Sequence, residues 1–378
     1  MLAPDISAAL AIGPAALGWM GSAFHYTYAL CQLPGGYIID RYGPKTPLVF
    51  LFGLCGGIGS LIFAFSHNLP LGICGRLLTG AAMSIVTASS FKIFSELFNN
   101  LQYMRLVSIY FAIGGAGMFF STFPLAMFNA LLGWRQIFLF FSLATFLLGL
   151  CFFYLIKAPA NRPNITSTVP GQKNTPFFSM LRQLFSCPAF IPILFWYILA
   201  SAIFFSFASL WAAPFYGSIY KLNQQNIGFI LSLGIVGVIF GTPFGAFLAE
   251  KLHSKVTVIR LASLLAITGS TLLCFPIQNL GSSMPVISFI CICLSGNLAA
   301  SVIYSLLRGH INASLIGIST AVMSCSLFLT TAFLQIIIGF ILQTVSADNG
   351  QLPYSSAFLI YLAFAFASAL LTVFLKEN

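Results

Sequence analysis

The sequence predicts an all-α membrane protein, a bundle of helices that cross the bilayer many times. Only 6% of its 378 residues are charged, against about 25% in ordinary soluble domains. Hydrophobic residues make up 59% of the chain, and its mean hydropathy is +0.99. This small number of charges cannot cover a water-exposed surface. Lipid must therefore surround most of the molecule.

The spans follow from the length of the apolar runs, because a helix needs about 20 mostly apolar residues to cross a bilayer. Eleven stretches meet this requirement. They are approximately 17–39, 46–66, 69–91, 106–129, 136–156, 188–216, 227–249, 257–277, 284–307, 313–343 and 354–375. The longest polar connection, 158–187, is rich in Asn, Pro, Ser and Thr, and we interpret it as a linker between residues 1–157 and 188–378.

The basic residues predict the orientation, since Lys and Arg favour short cytoplasmic loops. If the first span ends in the cytoplasm, thirteen of the sixteen Lys and Arg residues fall on that side, and Arg76, Arg135 and Lys221 on the other. We therefore expect a cytoplasmic linker and C-terminus in a protein of the cell (inner) membrane. The net charge of +10 does not indicate a nucleic-acid partner, because the basic residues are scattered singly between apolar runs.

Glycines at helical spacing predict close helix contacts, because small residues let helix backbones approach in lipid. Gly53 and Gly57 have this spacing in the second span, and Gly237, Gly241 and Gly245 have it in the seventh. We expect both groups to be packing positions.

The most specific motif joins the first two spans and reads Gly36-Tyr37-Ile38-Ile39-Asp40-Arg41-Tyr42-Gly43-Pro44-Lys45. It resembles the G-x-x-x-D-R-x-G-x-K/R signature of the major facilitator superfamily, which lies between that family's second and third helices. Three other segments resemble family features: Arg76 to Gly80 the R-x-x-x-G motif of the fourth helix, Gly133-Trp134-Arg135 the G-W-R before the sixth, and residues 245–255 a degraded second copy of the loop signature.

This resemblance implies two pseudo-symmetric six-helix halves, with eleven spans visible here. It implies a gating loop containing Gly36, Asp40, Arg41, Gly43 and Lys45, with Asp40 facing the start of the family's eleventh helix near 312–314. The first visible span then corresponds to the family's second helix, so we expect the family's first helix to be missing. A genuine eleven-span protein is the alternative.

Arg76 and His25 are the candidates for the substrate path in the first half. An arginine near a helix centre costs roughly 2.5–3.5 kcal/mol on insertion scales, so Arg76 should face a watery cavity or a partner; a purely structural role is the alternative. His25 lies at a similar depth, and for it a packing role is the alternative. The resemblance adds Tyr197 and Ser201 on the family's seventh helix and Asn297 and Tyr304 on its tenth.

The resemblance implies a secondary active or facilitative transporter that works by alternating access. Arg76, in the absence of an acidic residue deep inside a span, favours an anionic or zwitterionic solute such as an organic acid, a sugar phosphate or an amino acid. The glycine-rich stretch 114–121 lacks the Gly-Pro pair of the family's drug exporters, which favours uptake. A membrane solute sensor of the same fold and an efflux permease are the alternatives.

The remaining expectations concern partners and chemistry. No paired carboxylates, metal-ligand cluster or nucleotide-binding loop is visible in the sequence, so we expect neither an enzyme, nor a metal site, nor a cofactor. The expected partners are the solute and the lipid bilayer, with a coupling proton or sodium ion left open. His25 is the visible titratable group suited to a proton. We expect a monomer.

Overall fold

The computed structural model describes residues 1–98, 100–156, 177–275, 283–312, 315–345 and 352–377. Its regular structure consists of α-helices and two π-helical segments. In chain order the helices are α1 (Ala3–Leu10), α2 (Pro14–Tyr42), α3 (Lys45–Pro47), α4 (Gly57–Ala64), α5 (Leu69–Met83), α6 (Val86–Leu97), α7 (Asn100–Phe120), α8 (Phe123–Leu132), α9 (Trp134–Leu155), α10 (Phe177–Phe185), α11 (Phe190–Ser206), α12 (Ala212–Ile219), α13 (Gln224–Lys251), α14 (Lys255–Cys274), α15 (Ser283–Leu298), α16 (Ala300–His310), α17 (Ile316–Val345) and α18 (Leu352–Leu371). The π-helical segments are Leu48–Gly56, between α3 and α4, and Phe207–Trp211, between α11 and α12.

The predicted fold class is confirmed. Nine helices of the described chain are long and apolar enough to cross a membrane, or up to eleven if each of two bent helix pairs counts as one span. Helices suit this environment because lipid offers no hydrogen-bond partner, so each span must satisfy its own backbone groups. Large apolar side chains such as Phe140, Leu155 and Leu370 remain exposed on the outside of the bundle, where lipid tails would cover them.

At two places where a predicted span breaks, hydroxyl side chains bond to carbonyls of the preceding turn, a contact that often bends helices. In the third span, Ser84 donates to the carbonyl of Ala81 at 2.7 Å, and α5 ends there before α6 begins. In the fourth, Ser121 donates to the carbonyl of Met118 at 2.6 Å, and Pro124 follows in the first turn of α8. The α7–α8 pair is bent by 47° at this point.

The predicted linker is only partly described. Residues 157–176 lie outside the described residues, while residues 177–185 form the short helix α10. The division into residues 1–157, 158–187 and 188–378 stays a prediction.

Several helix contacts join the residues on either side of the linker, and two of them are the most extensive. One is the extensive packing of α2 on α17, and the other is the packing of α8 on α13. Hydrogen bonds support both: Gln32 donates to Ser324 at 3.3 Å in the first, and the hydroxyls of Thr122 and Ser232 lie 2.6 Å apart in the second.

The glycines lie where the backbones come closest. A Cβ atom on Gly53 would lie 2.6 Å from the Cα of Gly149, and one on Gly245 would overlap the carbonyl of Leu298. Gly57 faces Phe146, and Gly237 and Gly241 face α15. Their assignment as packing positions is confirmed.

The α2–α17 contact has the same character, although the sequence did not single it out. A Cβ on Gly18 would lie 2.5 Å from the carbonyl oxygen of Gln335, and a Cβ on Gly339 would lie 2.6 Å from that of Pro14. Each helix therefore presents a glycine to the backbone of the other.

We predict that Gly339→Ala lowers the melting temperature of the detergent-purified protein. The added methyl group meets backbone, which cannot rotate away, and overpacking of this kind typically costs about 1–3 kcal/mol. Gly317→Ala is the control on the same helix, because nothing lies within 4 Å of its Cβ position. It should leave the melting temperature unchanged or slightly higher, since Ala favours the helix. Equal effects of the two substitutions would contradict the proposed close contact.

Candidate functional site

Arg76 lies on α5, half-buried, at the wall of an internal cavity. Its guanidinium carbon lies 4.9 Å from the ring centre of Phe24 on α2 and 5.7 Å from that of Phe63 on α4. Such ring faces attract a cation, and most strongly where water is excluded. Arg76 forms no ion pair with any described carboxylate. The two rings therefore hold the guanidinium without neutralising its charge.

The cavity has a volume of about 340 Å³ and lies between helices from both sides of the linker. Most of its wall is apolar, and the polar side chains on it include Arg76, Ser121, Thr122 and Ser209. The lining residues are Met1, Leu2, Ala3, Ile6, Leu17, Met20, Gly21, Phe63, Arg76, Met118, Ser121, Thr122, Leu125, Phe138, Phe204, Phe205, Ala208, Ser209, Leu210, Leu231, Ile235 and Phe289. An apolar wall with a few convergent polar groups is typical of a small-molecule site.

His25, which the sequence placed at a similar depth, lies near Arg76. The imidazole is only 6% exposed, and its ring centre lies 5.3 Å from that of Phe24, the ring that also contacts Arg76. On its other side it stacks on Phe328 of α17, with 6.0 Å between the ring centres. The two candidates in the first half are therefore neighbours across one aromatic ring.

The candidates in the second half form a separate group. Tyr304 on α16 donates a hydrogen bond to the hydroxyl of Tyr197 on α11 at 3.2 Å. Ser201 is buried against Gly296. Asn297 donates to the carbonyl of Cys293 in its own helix at 2.8 Å. The described lining of the 340 Å³ cavity includes neither these four nor His25, so Arg76 alone among the predicted substrate-path residues lines it.

The gating motif forms the end of α2 and the turn after it. Gly43 follows α2 with φ of 76°, a backbone conformation that favours glycine. Arg41 donates to the hydroxyl of Tyr37 at 3.3 Å, and the ammonium of Lys45 lies 5.0 Å from the ring centre of Phe153. Gly36 has open space around it. The side chain of Asp40 and residues 313–314 lie outside the described part of the chain.

The second copy of the motif ends in a similar turn. The helix α13 continues to Lys251, and His253 then adopts φ of 49° before Ser254 caps the start of α14. Like Gly43, His253 reverses the chain between two antiparallel spans. The two loops share a residue with positive φ despite their different sequences.

A comparison with known protein families identifies the fold. The family model described as Major Facilitator Superfamily matches residues 1–333. The chain belongs to the major facilitator superfamily.

Several curated superfamily members are similar in sequence. The probable galactarate/D-glucarate transporter GudP of Bacillus subtilis is 27% identical over 170 residues, which are 41% of this chain and 35% of that protein. Human sialin is 24% identical over 277 residues, 67% of this chain and 54% of sialin. The D-galactonate transporter of Escherichia coli is 28% identical over 129 residues, 34% of this chain and 30% of that protein. The chain thus matches about a third to a half of the length of these relatives.

Solved structures agree on the architecture. The nucleoside transporter NupG superposes with a TM-score of 0.76 at 13% identity, covering 99% of this chain and 92% of NupG. A D-xylose-proton symporter superposes with a TM-score of 0.73 at 14% identity, covering 100% of this chain and 92% of the symporter. At these identities the likeness shows the shared fold alone.

Two polar residues of the site were missed at the sequence level. Gln335 on α17 is 1% exposed, and its amide nitrogen donates to the hydroxyl of Ser209 at 2.9 Å. Gln335 lies close to His25, and Ser209 lines the cavity. A glutamine inside a 30-residue apolar helix was the available signal, since a buried amide in lipid needs a partner.

We predict that the Tyr197 and Tyr304 hydroxyls stabilise the protein mainly through each other. Tyr197→Phe and Tyr304→Phe should each lower the free energy of unfolding by about 0.5–1.5 kcal/mol, and the double variant should cost no more than either single one. A double-mutant cycle of detergent-phase unfolding measures this coupling. Additive costs would show that the two hydroxyls act independently.

Proposed function

We propose that this superfamily member carries a small organic anion of the sugar-acid class across the cell membrane, with Arg76 binding a carboxylate of the solute. The observation that carries the proposal is the environment of Arg76. It is a half-buried cation on a cavity wall, held by the faces of Phe24 and Phe63, and no described carboxylate pairs with it. A cation in this position attracts an anion strongly, because its surroundings screen charge poorly.

The chemistry of the site supports a carboxylate in particular. A guanidinium offers a planar fork of donors that matches two carboxylate oxygens. The cavity volume of about 340 Å³ lies at the lower end of the range of roughly 300–1,000 Å³ that is usual for ligand pockets, which suits a compact solute. The hydroxyls of Ser121, Thr122 and Ser209 on its wall could bind the hydroxyls of such a solute.

The relatives favour the same class. Those named as transporters of galactarate, D-glucarate and D-galactonate act on polyhydroxylated carboxylates, which combine the two groups that the cavity could bind. Among the solutes suggested by the sequence, an organic acid is therefore preferred over a sugar phosphate or an amino acid. Uptake is preferred over efflux, because the stretch 114–121 lacks the Gly-Pro pair of the family's drug exporters.

The mechanism we propose is alternating access, in which two halves move around the cavity. The α2–α17 and α8–α13 contacts are the most extensive of the places where residues 1–157 meet residues 188–378, so they would act as the pivots. The loop with Gly36, Asp40, Arg41, Gly43 and Lys45 would gate one side. We place this loop, the linker and the C-terminus in the cytoplasm, on the distribution of Lys and Arg.

We predict that Arg76→Ala abolishes saturable uptake of D-glucarate into proteoliposomes. Arg76→Lys should weaken D-glucarate binding by about 10- to 100-fold, because it keeps the charge but loses the donor fork. Arg135→Lys is the control, since Arg135 donates to the carbonyl of Ser66 at 2.9 Å and does not line the cavity.

Melting temperatures in detergent separate transport from folding. If Arg76→Ala binds D-glucarate normally but melts at a much lower temperature, Arg76 is a packing residue and the proposal is wrong. If the unchanged protein binds D-glucarate without flux, the solute-sensor alternative replaces transport.

We predict that Asp40→Asn slows transport while the affinity for D-glucarate stays within about threefold of its original value. The position of Asp40 in the gating motif suggests that it biases the equilibrium between conformations, and such a bias changes flux more than intrinsic affinity. Initial uptake rates and equilibrium binding, measured on the same preparation, check this. Normal flux in this variant would remove Asp40 from the gate.

A further inference from the structure

A second cavity, of about 400 Å³, lies where three spans end on one side of the bundle. The spans Phe190–Ile219 and Ile316–Val345 begin beside it, and the span Ser283–His310 ends there. Its described lining is mostly polar and includes Arg182, Ser186, Cys187, His310 and Asn312. Because spans end where the hydrocarbon of the bilayer ends, this cavity lies at the level of the lipid head groups.

The short helix α10 forms one wall of this cavity and is fixed in place. Leu184 of α10 is fully buried in a cluster that includes Phe190 of α11 and Leu306 of α16. The thiol of Cys187, just after α10, donates to the carbonyl of His310 with a sulfur–oxygen distance of 3.6 Å. The cavity between α10 and the end of α16 therefore has packed walls.

The charge of the cavity is positive. Arg182 is exposed on its wall, and no described carboxylate pairs with the guanidinium. Arg308, in the last turn of α16, adds a second positive charge nearby. The described lining contains neither Asp nor Glu. The cavity therefore favours an anion.

Two other lining groups are hydrogen-bond acceptors. Nδ1 of His310 lies 2.9 Å from the carbonyl oxygen of Leu306; since a carbonyl only accepts, the hydrogen of the neutral imidazole belongs on Nδ1 and Nε2 is left as an acceptor. The hydroxyl of Ser186 donates to the carbonyl of Arg182 at 2.7 Å, so its oxygen can only accept. The lining thus suits an anion that also carries hydroxyl donors.

The exposed face of α10 indicates where such an anion comes from. Phe178 is 81% exposed and Phe185 is 47% exposed. Arg182 is four residues after the first and three before the second, a spacing that places all three on one side of the helix. A helix with apolar rings on one side and a buried leucine on the other lies along a membrane surface, with the rings among the acyl chains.

We propose that this cavity binds the head group of an anionic phospholipid of the phosphatidylglycerol type. Arg182 holds the phosphate, because its planar fork of donors matches two phosphate oxygens. His310 Nε2 and the Ser186 oxygen accept from the glycerol hydroxyls, and the acyl chains lie along Phe178 and Phe185. Basic pockets between the ends of membrane helices are typical sites for anionic head groups. The inference does not depend on Arg76 or on the proposed solute.

The test is native mass spectrometry of the detergent-purified full chain, titrated with dioleoyl phosphatidylglycerol. We expect one molecule of this lipid to bind more tightly than the others. Arg182→Gln should weaken its binding about tenfold or more, because a charge-assisted hydrogen bond is lost. Arg260→Gln is the matched control, since it removes the same charge from an exposed position on α14 outside the cavity, and it should change the affinity by less than about twofold.

A second variant tests the contribution of the acyl chains. Phe178→Ser replaces a largely exposed ring, so the fold should tolerate it. It should weaken phosphatidylglycerol binding about fivefold, because the ring no longer covers acyl chain. An unchanged affinity would overturn the placement of the chains along α10.

Two other ligands identify what the cavity recognises. Dioleoyl phosphatidylcholine has the same acyl chains but no net charge and no hydrogen-bond donor in its head group, so equally tight binding of it would overturn head-group recognition. Inorganic phosphate that displaces the lipid, with the same dependence on Arg182, would show a site for soluble phosphate instead. Equal losses in Arg182→Gln and Arg260→Gln would overturn the site. D-glucarate enters none of these measurements, so their failure is distinct from failure of the proposed function.

Discussion

The close crossing of α2 and α17 is the contact on which the rest of the molecule depends. Lipid gives no hydrophobic driving force between helices, so their association relies on backbone approach and on interhelical hydrogen bonds. Gly18 and Gly339 allow the approach, and Gln32 and Ser324 supply a hydrogen bond. The crossing joins residues on either side of the linker, and it places Gln335 and Phe328 next to His25. A wider separation would take Phe328 away from His25.

Arg76 shows how a single charge can be kept in a membrane helix without an opposite charge. The faces of Phe24 and Phe63 attract the guanidinium but leave its N–H groups available, whereas a carboxylate partner would occupy them. The unpaired guanidinium therefore attracts an anion.

The loops after α2 and α13 both contain a residue with positive φ, although their sequences differ. After α2 the chain reverses at Gly43, and after α13 it reverses at His253, both with positive φ. Glycine adopts this conformation without strain, and histidine at some cost. The degraded copy of the motif therefore keeps a residue with positive φ after its helix, while its charged residues have diverged.

The sequence by itself determined the solvent, the spans and the family. Apolar runs of about 20 residues predict helices, because leaving a backbone group without a hydrogen bond in lipid costs too much free energy. The motif from Gly36 to Lys45 indicated the superfamily that the family model confirms. It also singled out Arg76, because a lone arginine within a span stands out against its apolar surroundings.

The tertiary structure alone decided what Arg76 meets. Phe24, Phe63 and Gln335 come from separate helices, and nothing local in the chain relates them to Arg76. Only helix packing brings Tyr197 to Tyr304. Residue type indicates that a polar group in lipid needs a partner, but only the fold shows which partner it has.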